Sequence, residues 1–201
     1  MVTESGRRAR VVWLSVLLAI FIDQLIKIAV KMSMPLGGGF SVLGDWFQIR
    51  FIENNGMAFG MEFFDKVYLT GFRLVAVVFL VFLIVKLIKN LEYPLGFVFV
   101  VAMILAGAVG NIIDCLFYGE IFSSSYGEVA HLVPWGEGYA SFFEGRVVDM
   151  FYFPLFTWPQ WMPLVGGDIF FSPVFNFADA CISCSVVAIL IWYRKYLFSN
   201  E

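Results

Sequence analysis

The chain has 201 residues, a formal net charge of −3, 61% hydrophobic and 19% aromatic residues, only 14% charged residues and a mean hydropathy of +0.85. Soluble domains average roughly 45–50% apolar and about 25% charged residues, so this composition excludes a nucleic-acid binder, a disordered tail and a soluble domain. The apolar residues fall in long runs, as in an integral membrane protein, and the fold question becomes how often the chain crosses the bilayer.

A first span is predicted over residues 11–30, interrupted by Asp23, Gln24 and Lys27. It is longer than the apolar core of a cleavable signal peptide and lacks a small-residue cleavage site, so it is expected to stay as a membrane helix. In the loop over 32–67, Phe47, Ile49 and Phe51 alternate with Gln48 and Arg50, the period of a short strand, and Asn55-Gly56 then supplies turn chemistry. A second span follows over 68–88. The third, over 94–113, opens on Pro94, where a helix tolerates proline, and ends at Asn111 and Asp114. The loop over 115–175 divides into a polar stretch, 120–144, expected to be an outer-surface excursion, and an aromatic, proline-rich stretch over 150–175. Trp158 and Trp161 in the latter suit a membrane–water interface. A fourth span, 176–193, carries Asp179 near its start. The expected architecture is a single membrane domain, mainly α, with four transmembrane helices and a small β element at the outer surface.

Lys and Arg near the span ends set the orientation. Arg7, Arg8 and Arg10 precede the first span, Lys86 and Lys89 lie between the second and third, and Arg194 and Lys195 follow the fourth. The two long loops hold Arg50, Lys66 and Arg146 against ten acidic residues. Both termini are therefore expected in the cytoplasm, with the loops on the outer face.

The residue inventory removes several chemistries. A single histidine, His131, rules out a paired Cys/His zinc site and would have to serve any Ser-His or Cys-His nucleophile alone. It lies in the polar stretch and reads as a surface residue. The three cysteines, Cys115, Cys181 and Cys184, lie in or beside apolar segments and read as packing groups. No metal or cofactor is expected, which leaves carboxylates for acid–base work.

Several carboxylates stand where charge is costly, about 2.5–3.5 kcal/mol for Asp or Lys at a span centre. Asp114 ends an outward-going helix, Asp179 begins an inward-going one, and Asp23 lies in the outer half of the first, so three acids converge on one level. Asp149, flanked by Val147-Val148 and Met150-Phe151, joins them from a loop expected to dip back into the membrane boundary. Asn54, Asn111 and Asn176 gather at the same level, the last two each three residues before an aspartate and so on its helical face. Structural alternatives stand beside these readings: an Asp23–Lys27 ion pair at i,i+4, helix caps for Asn111 and Asn176, a first-turn acid at Asp179 and a solvated loop acid at Asp149. Two carboxylates meeting in a poorly hydrated site cannot both ionise cheaply, so they share a proton and can act together as general base and general acid. The residues thus support an outward-facing intramembrane aspartic hydrolase. An ion-coupled transporter or a membrane scaffold are the alternatives.

Five blocks in order resemble the lipoprotein signal peptidase (signal peptidase II) family over essentially the whole of residues 11–194. They are Asp23-Gln24-Leu25-Ile26-Lys27, Glu53-Asn54-Asn55-Gly56-Met57-Ala58-Phe59-Gly60, Gly107 through Asp114, Gly145-Arg146-Val147-Val148-Asp149-Met150-Phe151, and Phe175 through Ile182. The resemblance implies a bacterial inner-membrane aspartic endopeptidase with four transmembrane helices, a periplasmic β-cradle and a catalytic pair, Asp149 with Asp179, facing the periplasm. Asp23, Lys27, Asn54, Gly56, Asn111, Asp114, Arg146 and Asn176 become the expected supporting or substrate-binding positions. The implied substrate is a prolipoprotein whose cysteine carries diacylglycerol, cut just before that cysteine. Membrane lipid, a globomycin-type inhibitor and a monomeric state complete what the resemblance implies.

Two departures from the family pattern stand out. Cys115 follows Asp114 where the family usually has arginine, so that cation is absent or supplied elsewhere, with Arg146 as the candidate. Compact family members also lack the polar insertion of about 25 residues between Gly119 and Gly145.

Overall fold

A computed structural model describes residues 3–55 and 66–197. Gly56, and with it the turn expected at Asn55-Gly56, lies outside the described residues. Among these residues, four helices are long and apolar enough to cross a membrane. Helix α1 (Glu4–Lys31) starts earlier than the hydropathy predicts, because the Thr3 side chain accepts a hydrogen bond from Gly6 N and caps it. Helix α2 spans Lys66–Lys89 and α3 spans Leu95–Ile113. Instead of stopping there, α3 runs on through a π-helical turn (Asp114–Tyr118) into a last short turn, α4 (Gly119–Ile121). The α-helical stretch ends at Ile113 with Asp114 as its C-cap, as expected, but the chain stays helical beyond it, with the Asp114 carboxylate buried and bonded inside the protein. Helix α5 (Phe177–Ala188) continues through a second π-helical turn to Tyr193.

Helix α3 is the centre of the bundle. Its Val98, Ala102, Leu105 and Ala106 share one apolar core with Val12 and Val16 of α1 and with Ile84, Leu87 and Ile88 of α2. The outer helices present apolar stripes instead: Leu14, Leu17, Phe21 and Leu25 on α1, and Phe72, Val75, Phe79 and Phe82 on α2 are exposed at three- and four-residue intervals, as on a helix facing hydrocarbon. Small residues let α3 meet its partners at its C-terminal end. A Cβ on Gly107 would collide with the Ala178 carbonyl oxygen of α5, and one on Gly110 would lie 2.6 Å from Asp23 Oδ2 and 3.2 Å from Ala178 Cβ.

Above this end lies a four-stranded antiparallel sheet of β1 (Gly39–Leu43), β2 (Phe47–Asn54), β3 (Val147–Tyr152) and β6 (Val174–Phe175), in the order β1-β2-β3-β6. The hairpin of β4 (Phe156–Thr157) and β5 (Ile169–Phe170) stands apart. The expected strand around Phe47 is β2. Strand β1 was not foreseen: it is only five residues long, and all five are exposed. Asp149 was expected on a loop but sits in β3, where Val148 and Met150 point into a second core with Phe51, Val30, Tyr118 and Phe122. Period-two alternation turns Asp149 to the other face. A bulge in β2, between the pairs Ile49↔Phe151 and Ile52↔Asp149, sets which β2 residue reaches it.

The polar insertion is more than a surface excursion. It folds back over the sheet end, bringing Phe122 and Ser125 to full burial, although Tyr126 and Trp135 face outward.

Close helix approach at Gly110 gives a stability prediction. Gly110→Ala should destabilise the protein by about 1–3 kcal/mol in thermal unfolding in detergent. Gly71→Ala, where an added Cβ would meet nothing among the described residues within 4 Å, should be neutral or stabilising by up to about 1 kcal/mol.

Candidate active site

The site is assembled around Lys27, whose side chain is fully buried one turn below Asp23 on α1. Its ammonium lies 2.9 Å from Asp23 Oδ2 and 2.9 Å from Asp114 Oδ2, and donates to Asn111 Oδ1 at 2.8 Å. Each acid has a second task. Asp23 Oδ1 accepts from Ala178 N at 2.9 Å, in the first turn of α5, where a helix presents unpaired amides and positive dipole. Asp114 Oδ2 accepts from Val148 N at 3.1 Å, anchoring β3 one residue before Asp149. Gln24 closes the ring, donating to Asp23, Asp114 and the Gly110 carbonyl, and accepting from Tyr118 Oη.

From this base a chain of amides leads to the two remaining acids. Lysine can only donate, so Asn111 must turn its oxygen to Lys27, which leaves Nδ2 to donate to Asp179 Oδ1 at 2.8 Å. Asn176 is the N-cap of α5, its Oδ1 accepting from Asp179 N at 2.9 Å within a capping box. Its Nδ2 is thereby committed outward, to Asp149 Oδ1 at 2.7 Å and Asn111 Oδ1 at 3.1 Å. On the far side Asn54 donates to Asp149 Oδ2 at 3.2 Å. Among the described residues, every buried polar side-chain atom has a partner.

Asp149 is 3% exposed, whereas Asp179 is half-buried. Burial, followed by the neighbouring Asp179 carboxylate, pushes the Asp149 carboxyl up to about 7, against the opposing pull of Asn54, Asn176 and Lys27. The pair is therefore able to hold one proton near neutrality, in an amide frame that keeps the two acids distinct.

Thus Asp23, Lys27, Asn54, Asn111, Asp114, Asp149, Asn176 and Asp179 converge as expected, while Gly56 is outside the described residues. The structural alternatives hold as additions: Asp23 and Lys27 are an ion pair and Asn176 is a cap, yet all three belong to the site. Arg146 does not replace the cation after Asp114. Its guanidinium turns to Glu53, 3.1 Å away, and lies over Tyr139, because Glu53 is the nearby buried acid. The cation beside Cys115 comes from α2: Arg73 Nη1 lies 3.6 Å from the buried Cys115 Sγ. Sequence reasoning passed over Arg73, Tyr118 and the structural weight of Gln24. An arginine inside a predicted span was the available signal for the first. His131 is exposed and pairs with Ser123.

A family model described as signal peptidase (SPase) II matches residues 15–195. The chain belongs to the signal peptidase II family. Curated relatives agree: the lipoprotein signal peptidase of Porphyromonas gingivalis is 49% identical over 192 residues, covering 94% of this chain and 84% of the relative. That of Amoebophilus asiaticus is 37% identical over 183 residues, covering 87% and 74%. Two solved bacterial membrane enzymes share the fold, with TM-scores of 0.64 and 0.63 at 21% and 22% identity, each covering 95% of this chain and 92% and 94% of theirs. Membership in signal peptidase II makes the chain a multi-pass membrane protease, and the transporter and scaffold alternatives fall away.

The Lys27 centre yields a test. Lys27→Met leaves two buried carboxylates uncompensated and should cost about 3–5 kcal/mol. The measurement is thermal or denaturant unfolding in detergent, where a loss below 1 kcal/mol would contradict the central role of the ammonium.

Proposed function

We propose that this protein is an aspartic endopeptidase that removes the signal peptide from diacylglyceryl-modified prolipoproteins, cutting just before the lipidated cysteine with Asp149 and Asp179. The observation that carries the reading is the pair of acids held by separate amide donors around Asn176, with one of them raised to about 7. Asp179 removes a proton from water as it attacks the scissile carbonyl. Protonated Asp149 hydrogen-bonds the carbonyl oxygen as negative charge develops there. Collapse of the tetrahedral intermediate breaks the C–N bond, the leaving nitrogen takes a proton from the pair, and no covalent intermediate forms. Asn54, Asn111 and Asn176 orient the acids throughout. Asp23, Lys27 and Asp114 hold the three helices and β3 at the working distance.

Location supports the same reading. The basic residues at the span ends favour an inner-membrane protein with both termini in the cytoplasm and the pair facing the periplasm. An apolar groove of about 490 Å³ between α3 and α5 is lined by Phe99, Met103, Phe177, Cys181 and Trp192. It begins within one turn of Asp179 and suits a substrate arriving sideways from lipid on its signal helix and acyl chains. A monomer suffices for this arrangement, and a globomycin-type cyclic peptide would compete for the same site.

The test is cleavage of a diacylglyceryl lipobox peptide by purified protein. Asp149→Asn and Asp179→Asn should each lower kcat by about 10³-fold. Turnover within tenfold of wild type in either variant sinks the assignment. The active form carries one proton on the pair, so kcat should fall as pH rises through about 7 and Asp149 loses it. Asn54→Ala removes a donor that favours the Asp149 carboxylate, and the falling limb should move to higher pH. A limb that stays fixed or moves down would contradict the role given to Asp149.

A further inference from the structure

Lys31, the last residue of α1 and one turn beyond Lys27, is a second fully buried ammonium. It does not reach the aspartate pair. Its Nζ lies 2.5 Å from Glu53 Oε1 and 2.8 Å from Ser125 Oγ, and it stands 4.8 Å from the Tyr139 ring and 5.4 Å from that of Phe122. Ser125 also donates to Glu53 Oε1 at 2.9 Å, and Arg146 takes Oε2 at 3.1 Å. Tyr139 Oη accepts from Arg146 N at 2.7 Å. Burial pushes the Glu53 carboxyl up, but Lys31, Ser125 and Arg146 together hold it below its ordinary value, so it stays ionised. Ser125 and Tyr139 both come from the polar insertion, and Phe122 from its first residues.

Glu53 sits one residue before Asn54, the residue that donates to Asp149. Beyond the bulge, among the described residues, β2 and β3 pair only at Ile52↔Asp149, Glu53↔Val148 and Asn54↔Val147. Asn54 is thus held in the last pair of a short ladder, the kind of strand end that opens first. Glu53 of β2 and Arg146, the residue before β3, are fixed across that end by a cluster that the insertion completes.

We propose that the 120–144 insertion is a positioning module: through Ser125 and Tyr139 it completes a clamp of Lys31, Glu53 and Arg146 that keeps the ends of β2 and β3 in register, so that Asn54 reaches Asp149. The catalytic consequence rests on the peptidase reading above, while the clamp itself does not. Glu53, Lys31 and Arg146 are positioning residues, acting through Asn54.

The test compares wild type, Ser125→Ala and the double variant Lys31→Met/Glu53→Gln. The double variant removes both buried charges together, so its thermal midpoint should stay close to that of wild type. Its kcat on the lipobox peptide should nevertheless fall at least about tenfold with KM within about twofold. The groups facing Asp149 are Asn54 from β2, Asp179 and Asn176 from the start of α5, and Lys27 from α1. Of these the clamp touches only Asn54's setting, so the falling limb of the pH profile should move up, as for Asn54→Ala. Without any substrate, hydrogen exchange at the amides of 147–149 should speed up by about tenfold in the double variant. Ser125→Ala, which keeps the charges, should show the same changes in smaller measure. Unchanged exchange overturns the clamp. Faster exchange with wild-type kcat and pH profile overturns its positioning role. If wild type itself does not cleave the peptide, the peptidase reading fails and the exchange result still decides the clamp.

Discussion

A single buried ammonium holds together the end of the bundle that meets the sheet. Lys27 has no exposed side-chain surface and three oxygen partners, one from its own helix, one from α3 and one from the π-helical turn that follows α3. Taking such a charge out of water costs several kcal/mol, and only good geometry with further hydrogen bonds offsets that. Both carboxylates meet the requirement by also accepting backbone amides, Asp23 from α5 and Asp114 from β3. The ion cluster therefore works as a joint: α1, α3, α5 and the sheet all end on it. Gly107 and Gly110 are its steric counterpart, since side chains there would push α5 and Asp23 away from α3.

Lysine also fixes the direction of every amide above it. With three donors and no acceptor, it determines that Asn111 shows an oxygen downward and an NH₂ group upward. The cap of α5 sets Asn176 in the same sense. The acids at the top of this ladder consequently receive N–H donors, which stabilise carboxylate, while burial and mutual repulsion favour the acid form. Asp149, on a strand and nearly dry, is raised to about 7 and so stands close to balance between its two forms near neutrality. Asp179 sits half-buried in the first turn of a helix. Two elements of different type thus place the two carboxyl groups in different surroundings.

How far this could be read in the sequence depended on the scale of the signal. The four helices were legible because hydropathy sums over about 20 residues, and the acids were legible because so few charges interrupt the apolar runs. Asp149 was recognised but placed on a loop: with Val148 and Met150 in an apolar core and Asp149 among buried amides, its strand is buried on both faces and shows no alternation. Strand β1 is only five residues long, too short for its pattern to mark it. The Lys31, Glu53 and Ser125 cluster joins residues 22, 72 and 94 positions apart, and no local pattern connects such positions. Arg73 carried the same kind of signal as the acids, one charge inside a predicted span, but nothing local ties it to Cys115, 42 positions away.

The redistribution of arginines follows from the insertion. A chain entering β3 directly from α3 would leave Arg146 without Tyr139 beside it and Glu53 without Ser125. With the insertion in place, Glu53 is dry and already joined to Lys31, and Arg146 supplies a second cation at the rim, where it keeps 44% side-chain exposure. That commitment takes Arg146 away from Asp114. The residue after Asp114 is a buried thiol, which carries no charge into the core, and the cation at that point reaches in from α2 instead. The ion cluster at the aspartates and the ion cluster at the sheet end are thus separate sets. Lys27 and Lys31, one turn apart on α1, mark the division between the two: the first is paired with Asp23 and Asp114, the second with Glu53 at the end of β2.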